Sequence, residues 1–340
     1  MKRITKLKGT VSFTSFAAVG GFEERRGPLG EKFDFCDMTD TFGKNTFEMA
    51  EGEMGRLALN TALSKANLSH EELELLVAGD LQNQCVGTTL GLSAFKAPFL
   101  GVYGACSTCT EALIVLSAMM DTEGDMRYGA AVTTSHNSAA ERQFRTPIEY
   151  GGQRAPSAQW TSTAAGAFIL GRDPNMPKIT EIMPGRIIDG GTKDGSNMGA
   201  AMSFAAADTV ISYFKESGTE LTELDAIVTG DLGRVGSDIL EEILSKELPG
   251  SERLHFDCGL MLYDMKKTDC HSGASGCGTS ASVLAAHYLP LLREGKLRRI
   301  LFLSTGALMS PSSILQNQNI AGIAPLIKIE AADLFRAENS

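Results

Sequence analysis

Positive charge is scarce in this chain. Of 340 residues, 31 are Lys or Arg and 41 are Asp or Glu, so the formal net charge is −10 with the five His counted neutral. An acidic chain with a pI near 5.1 lacks the clustered Lys and Arg that nucleic acid or an anionic membrane face requires, so neither is expected as a partner. A disulfide framework is also missing: seven Cys is an odd number, and their spacing fits no small secreted scaffold. No apolar stretch follows Met1-Lys2-Arg3-Ile4-Thr5-Lys6, so free thiols in a reducing compartment are expected. The one long uncharged segment, Ile300 to Ile327, carries Pro311, Pro325 and the polar run Gln316-Asn317-Gln318-Asn319, which a lipid-embedded helix does not tolerate.

Apolar residues and glycine, by contrast, are plentiful. At 43% hydrophobic and 21% charged, the chain can bury a core. Its 36 Gly predict many tight turns and close backbone approaches.

The sequence repeats itself. Glu72-Leu73-Glu74-Leu75-Leu76-Val77-Ala78-Gly79-Asp80-Leu81 and Glu223-Leu224-Asp225-Ala226-Ile227-Val228-Thr229-Gly230-Asp231-Leu232 agree at six of ten positions. A helical pattern precedes each, marked by Met54, Leu57, Ala58 and Ala62 in the first copy and by Ala206, Val210, Ile211 and Phe214 in the second. Further on, Gly104-Ala105-Cys106-Ser107 leads into a helix that stops near Gly124, and the strand Gly129 to Ser135 follows. Gly273-Ala274-Ser275-Gly276 likewise leads into a helix that stops near Gly295, before the strand Ile300 to Ser304. The expected architecture is α/β: two similar halves of mixed sheet and helices packed in layers, 1–174 and 175–340. Ligands of such sheets sit at strand ends, where loops and helix starts converge. Residues 20–53, rich in Gly and charge, break the pattern and read as a surface excursion, either a partner-binding arm or a solvated loop.

Cys106 is the sharpest chemical feature. It lies at a strand-to-helix turn, where free N–H groups favour a thiolate or a nearby anion; a buried structural thiol is the plain alternative. His271 lies at the matching turn of the second half, so packing the halves about a pseudo-twofold axis would supply a Cys/His pair. His136 ends the strand Gly129 to Ser135, at a pocket rim or in a solvated turn. Asp80 and Asp231 end the duplicated strands, where capping the next helix is the usual role. Cys258, Cys270, His271 and Cys277 match no recognised zinc spacing, and the Gly-rich turns match neither a P-loop nor a dinucleotide fingerprint.

With these residues in place the chain resembles the thiolase-like superfamily over nearly its whole length. Within that superfamily it is similar to the stage V sporulation branch of spore-forming Bacillota. Four stretches carry that likeness: Asp40-Thr41-Phe42-Gly43-Lys44-Asn45-Thr46-Phe47-Glu48, Val77-Ala78-Gly79-Asp80-Leu81-Gln82-Asn83-Gln84, Tyr103-Gly104-Ala105-Cys106-Ser107-Thr108 and Ser275-Gly276-Cys277-Gly278. The resemblance implies a duplicated thiolase-like fold, a homodimer, and binding of dipicolinic acid (pyridine-2,6-dicarboxylate). It also implies membrane proteins of the same sporulation operon as partners. With them the chain would work from the cytoplasm or spore core at the spore inner membrane, moving dipicolinate into the spore and out at germination.

The residues separate binder from enzyme. Claisen-type chemistry needs a thiolate, its base, a His or Asn at the thioester oxygen and a Gly-rich oxyanion loop. Cys106 and His271 match the first two. The third position reads Thr229-Gly230-Asp231-Leu232-Gly233, and the Cys-x-Gly-Gly-Gly of thiolases is replaced by Leu303-Ser304-Thr305-Gly306-Ala307. The expectation is therefore a binding protein, with an acyl-transfer or condensing enzyme using Cys106 and His271 as the second reading and a scaffold with a vestigial pocket as the third. For dipicolinate, the expected contacts are the N–H groups after Cys106, including that of Ser107, for one carboxylate. His136 and His271 would serve the other, with hydroxyls from Ser304 and Thr305. Asp80 is then an anion near an anion: it is protonated, bonded to backbone, or bridged to the ligand by Ca²⁺. No other cofactor is expected.

Overall fold

The computed structural model describes residues 3–122, 124–144 and 154–332. Five strands make up the sheet of the first half: β1 (Thr5–Gly20), β2 (Leu75–Gly79), β3 (Phe99–Gly101), β4 (Gly129–Ser135) and β5 (Ala164–Gly171). The second half contributes β6 (Lys178–Met183), β7 (Ala226–Thr229), β8 (His255–Asp257), β9 (Arg299–Leu303) and β10 (Leu326–Glu330). Their spatial order is β8-β7-β9-β10-β6-β1-β5-β4-β2-β3, with Phe35–Cys36 added beside β1. Reading outward from the β1–β6 centre, both halves repeat one scheme: an antiparallel neighbour, a second antiparallel step, then two parallel pairings. The repeated sequence blocks thus correspond to repeated structure: β2 is the equivalent of β7, and β4 of β9.

Helices complete the layers. They are α1 (Phe47–Ala66), α2 (Val86–Leu92), α3 (Thr108–Thr122), α4 (Asn137–Phe144), α5 (Met198–Ser217), α6 (Gly233–Glu247) and α7 (Cys277–Val283). The period of two along each strand assigns side chains to layers. Leu75 and Val77 join Leu113, Leu116, Ile300 and Phe302 in a central core around α3 and α7. Leu76 and Ala78 face the other way and pack with Met54, Leu59 and Leu63 of α1. In the second half Ile227, Leu301 and Leu303 meet Met202, Val210 and Leu240 of α5 and α6. The result is five layers, helix–sheet–helix–sheet–helix, with α3 and α7 in the middle.

Close packing of the middle layer depends on glycine. A Cβ on Gly278, at the start of α7, would come within 2.1 Å of the Ala164 carbonyl oxygen. The preceding Gly276 has φ +103°, a backbone state that side chains disfavour.

The helix expected from Met54 begins earlier, at Phe47, because Thr46 caps it by accepting from the Met49 N–H. Residues 20–53 are only partly a surface excursion. Glu24, Leu29, Phe33 and Phe42 are buried, and Phe35–Cys36 pairs with the end of β1. Segment 20–53 is therefore stitched to the body by packing and by backbone pairing.

Candidate functional site

The chain leaves β3 at Gly101 and turns through Ala105–Ser107 into α3, placing Cys106 at the joint between strand and helix. Ala105 takes φ 55°, a left-handed conformation held by the turn around it. Thr108 Oγ1 donates to the Ala105 carbonyl at 2.7 Å and accepts from the Gly104 N–H at 3.1 Å. Ser107 Oγ lies 2.6 Å from the Gly104 carbonyl and 2.7 Å from Glu111 Oε1, so it fixes the turn from inside.

Cys106 opens onto a small cavity of about 40 Å³ lined by Leu81, Ala105, Ala140, Glu141, Thr161, Met198, Ser275, Ala307 and Met309. Both halves contribute, because the starts of α3 and α7 meet here across the pseudo-twofold axis. The thiol itself is buried, clustered with Leu81, Ala140 and Cys277. Burial raises its pKa well above the ordinary thiol value, and the charge and hydrogen bond of Asp231 raise it further. Asp231 is fully buried, and its own pKa is pushed up to about 7 by burial, against hydrogen bonds from Cys106, the Gly276 N–H and Thr305. Gly276 N donates to Oδ2 at 2.8 Å and Thr305 Oγ1 to Oδ1 at 2.8 Å. The thiol keeps its proton because losing it would put a second buried negative charge, on the sulfur, beside the Asp231 carboxylate.

The structure brings together only some of the residues expected from sequence. Cys106 lines the cavity. Thr305 is buried behind it and orients Asp231. Ser304 lies deeper still, accepting from Thr110 Oγ1 at 2.8 Å and donating to Ser280 Oγ at 3.1 Å. Ser107 braces the turn as described. Asp80 is buried away from the cavity: Oδ1 accepts from the Gln82 N–H at 2.7 Å, and Oδ2 from the N–H and hydroxyl of Thr88 at 2.7 and 2.6 Å. It holds the start of α2, with the buried Glu51 nearby, and desolvation raises the pKa of both carboxyls.

Neither expected histidine lines the cavity. His136 is fully buried, with Nε2 donating to the Asp40 carbonyl at 2.8 Å and its ring 5.3 Å from that of Phe47. Burial lowers its pKa, so the imidazole is neutral, and its work is to hold segment 20–53. His271 is partly exposed. Its Nε2 lies 2.9 Å from Asp269 Oδ1, at an angle too poor for a hydrogen bond. Sequence spacing placed an imidazole near the thiol; the fold places a carboxylate there.

Cavity residues that the sequence did not single out are Leu81, Ala140, Glu141, Thr161, Met198, Ser275 and Met309. Ser275 stands inside a stretch that carries the family likeness, and Leu81 inside the repeated block, so both had a signal. Met198 and Met309 had none. Among the described residues no helix is long and apolar enough to cross a membrane.

Duplicated α/β halves with a thiol at the turn into the buried helix of the first half define a thiolase-like protein. Solved structures agree on the fold. A Glu-to-Gln variant of Xanthomonas campestris OleA has 15% sequence identity and a TM-score of 0.58, over 95% of this chain and 99% of that one. The same variant bound with cerulenin gives 15% and 0.59 over 94% and 96%. The chain belongs to the stage V sporulation protein AD family: that family matches residues 1–330. Stage V sporulation protein AD of Bacillus subtilis (strain 168) is 41% identical over 318 residues, 94% of each chain.

Proposed function

We propose that the cavity at Cys106 binds dipicolinic acid without chemical conversion, for its movement into the developing spore and its release at germination. The observation that carries this reading is the Cys106–Asp231 contact. Thiolate catalysis requires a base that leaves the sulfur charged. Here the partner of the thiol is a buried carboxyl whose charge keeps the sulfur protonated, and both nearby imidazoles are directed elsewhere.

The lining of the cavity, more than its size, suits a small aromatic ligand. With about 40 Å³ open it is smaller than the roughly 300–1,000 Å³ of typical small-molecule sites, so a flat ring enters by displacing flexible side chains such as Met198 and Met309. Leu81, Ala140, Ala307, Met198 and Met309 offer apolar and thioether surface for the faces of a flat ring. Asp80 has both oxygens occupied by backbone and Thr88 donors, so this reading needs no Ca²⁺ bridge from it. The homodimer and the membrane partners of the same operon belong to the same proposal. The uncovered edge of β3, with Phe99 and Leu100 exposed, is the first place to look for either.

Calorimetric titration of the protein with dipicolinate, and with isophthalate as the analogue lacking the ring nitrogen, tests the reading. Saturable binding that prefers dipicolinate supports it. Incubation with acetyl- or acetoacetyl-coenzyme A followed by mass spectrometry addresses the enzymatic reading, and an acyl group on Cys106 would overturn the proposal.

A further inference from the structure

The wall of the cavity opposite the α3 turn is a two-stranded ribbon, Trp160–Thr161 paired in parallel with Ala274–Ser275, in register Ala274 to Trp160 and Ser275 to Thr161. Thr161 and Ser275 face the cavity. One polar group on this wall and one behind it lack hydrogen-bond partners among the described residues although both atoms are buried: the hydroxyl of Ser275, a residue 1% exposed, and Nη1 of Arg154, which lies on Trp160 beside the wall residue Glu141. Leaving such donors unmade costs on the order of 1–3 kcal/mol each, so unpartnered buried donors at a cavity wall point to a group that arrives from outside.

Arg154 is held in place for that role. Its guanidinium stacks over the Trp160 ring at 4.5 Å, and Nη1 lies 3.6 Å from Oε1 of Glu141, an ion pair too long for a hydrogen bond. Among the described residues Glu141 is the only charged side chain on the cavity wall itself, so the wall has no positive charge of its own except through Arg154 behind it. A planar guanidinium suits a carboxylate because its N–H groups match the two oxygens side by side.

Resting on the reading of this cavity as a dicarboxylate pocket, we propose that Arg154 and the Ser275 hydroxyl form the subsite that receives one carboxylate of the ligand. The incoming carboxylate takes the guanidinium from Glu141, and the Ser275 O–H donates to the same group. Charge decides the direction of exchange: the Arg154–Glu141 pair is neutral before binding, and Glu141 opposes the ligand.

Three variants test this by titration with dipicolinate, with thermal melting in parallel. Arg154→Gln is expected to weaken binding on the order of tenfold to hundredfold and to reduce its dependence on salt. Ser275→Ala removes a donor that has no partner in the free protein, so it is expected to leave melting unchanged or raised while weakening binding about fivefold or more. Glu141→Gln is expected to tighten binding several-fold, an opposite sign that a purely structural role for Arg154 does not produce. If Arg154→Gln does not fold, Arg154→Lys replaces it, with an intermediate loss of affinity expected. Wild-type binding that is unchanged by both Arg154→Gln and Ser275→Ala overturns the subsite and leaves the pocket reading standing. Failure of the wild-type protein to bind dipicolinate overturns both.

Discussion

Asp231 occupies in the second half the position of Asp80 in the first, yet only Asp231 acts on the Cys106 thiol. Both close a strand in a Gly-Asp-Leu sequence. Asp80 turns onto the start of its own half's next helix, binding the N–H groups of Gln82 and Thr88. In the second half that task passes to Asp257, which accepts from the Leu232 and Gly233 N–H groups at 2.8 and 3.0 Å. Asp231 is thereby released to point across the pseudo-twofold axis at Cys106. Duplication supplied two equivalent carboxylates, and a third took over capping so that one could enter the site.

The first consequence concerns the reactivity of Cys106. Burial is the larger cause of its raised pKa and remains in any Asp231 variant, but the carboxylate adds to it. Asp231→Asn removes that charge, so more thiolate exists at a given pH. Iodoacetamide at pH 8, with Cys106 followed by peptide mass spectrometry, should label the wild type far more slowly than a free thiol and the variant several-fold faster. Equal rates in the two proteins would show that Asp231 does not govern the thiol.

A second buried carboxyl links the halves. Glu24, in the first half, accepts from the Tyr263 hydroxyl of the second half and from the Gly21 and Thr163 N–H groups at 3.1 and 3.0 Å. Burial pushes its pKa from 4.5 to about 7 against these bonds. The folded protein therefore holds a proton that the unfolded chain releases near 4.5. Stability falls as pH rises from about 4.5 to about 7 and is level above that, and Asp231 acts in the same sense from 3.8 upward. Tyr263→Phe removes a donor that favours the charged form. Urea unfolding should show a loss of ~1–3 kcal/mol, larger at pH 8 than at pH 5.5. A loss independent of pH would mean that Tyr263 does not bond the carboxylate.

His136 separates a structural histidine from a ligand contact. Its Nε2 bond to Asp40 and its packing on Phe47 make it a clasp for segment 20–53. His136→Ala should cost roughly 2–4 kcal/mol through the lost bond and the space left behind. Dipicolinate affinity, measured below the melting temperature, should change less than twofold. A tenfold loss of affinity in a protein that remains folded would return His136 to the pocket.

Much of the fold could be read in advance because duplication and strand periodicity are local. The strand from Gly129 to Ser135 follows from its uninterrupted small and β-branched residues, and the alternation Leu75, Val77 against Leu76, Ala78 states which layer each side enters. The site was legible only at Cys106, whose turn is also local. What faces Cys106 depends on the pseudo-twofold packing, and sequence spacing cannot say whether His271 or Asp231 arrives there. Pairing of Ser275 with Thr161 puts Ser275 on the cavity wall, while His271, four residues earlier, stays outside it. Arg154 stayed hidden for a similar reason, since its place on Trp160 is fixed by a ribbon pairing residues more than a hundred positions apart.

The charge state of Asp231 should also govern ligand affinity. Facing it are the Cys106 thiol, the Gly276 N–H and the Thr305 hydroxyl, with the charge of Asp257 behind and Glu141 on the cavity wall. None is a cation, so an arriving dicarboxylate raises the cost of the Asp231 charge and favours its neutral form. Binding near neutral pH then takes up a proton. Affinity should be level below about 7 and fall above it by up to about tenfold per pH unit. Asp231→Asn, neutral throughout, should bind with little pH dependence between 6 and 8. Titration calorimetry in two buffers of different ionisation enthalpy counts the protons directly. Wild-type binding at pH 7.5 that takes up none would mean that the ligand lies too far from Asp231 to feel its charge, and that the thiol marks the edge of the pocket instead of its floor.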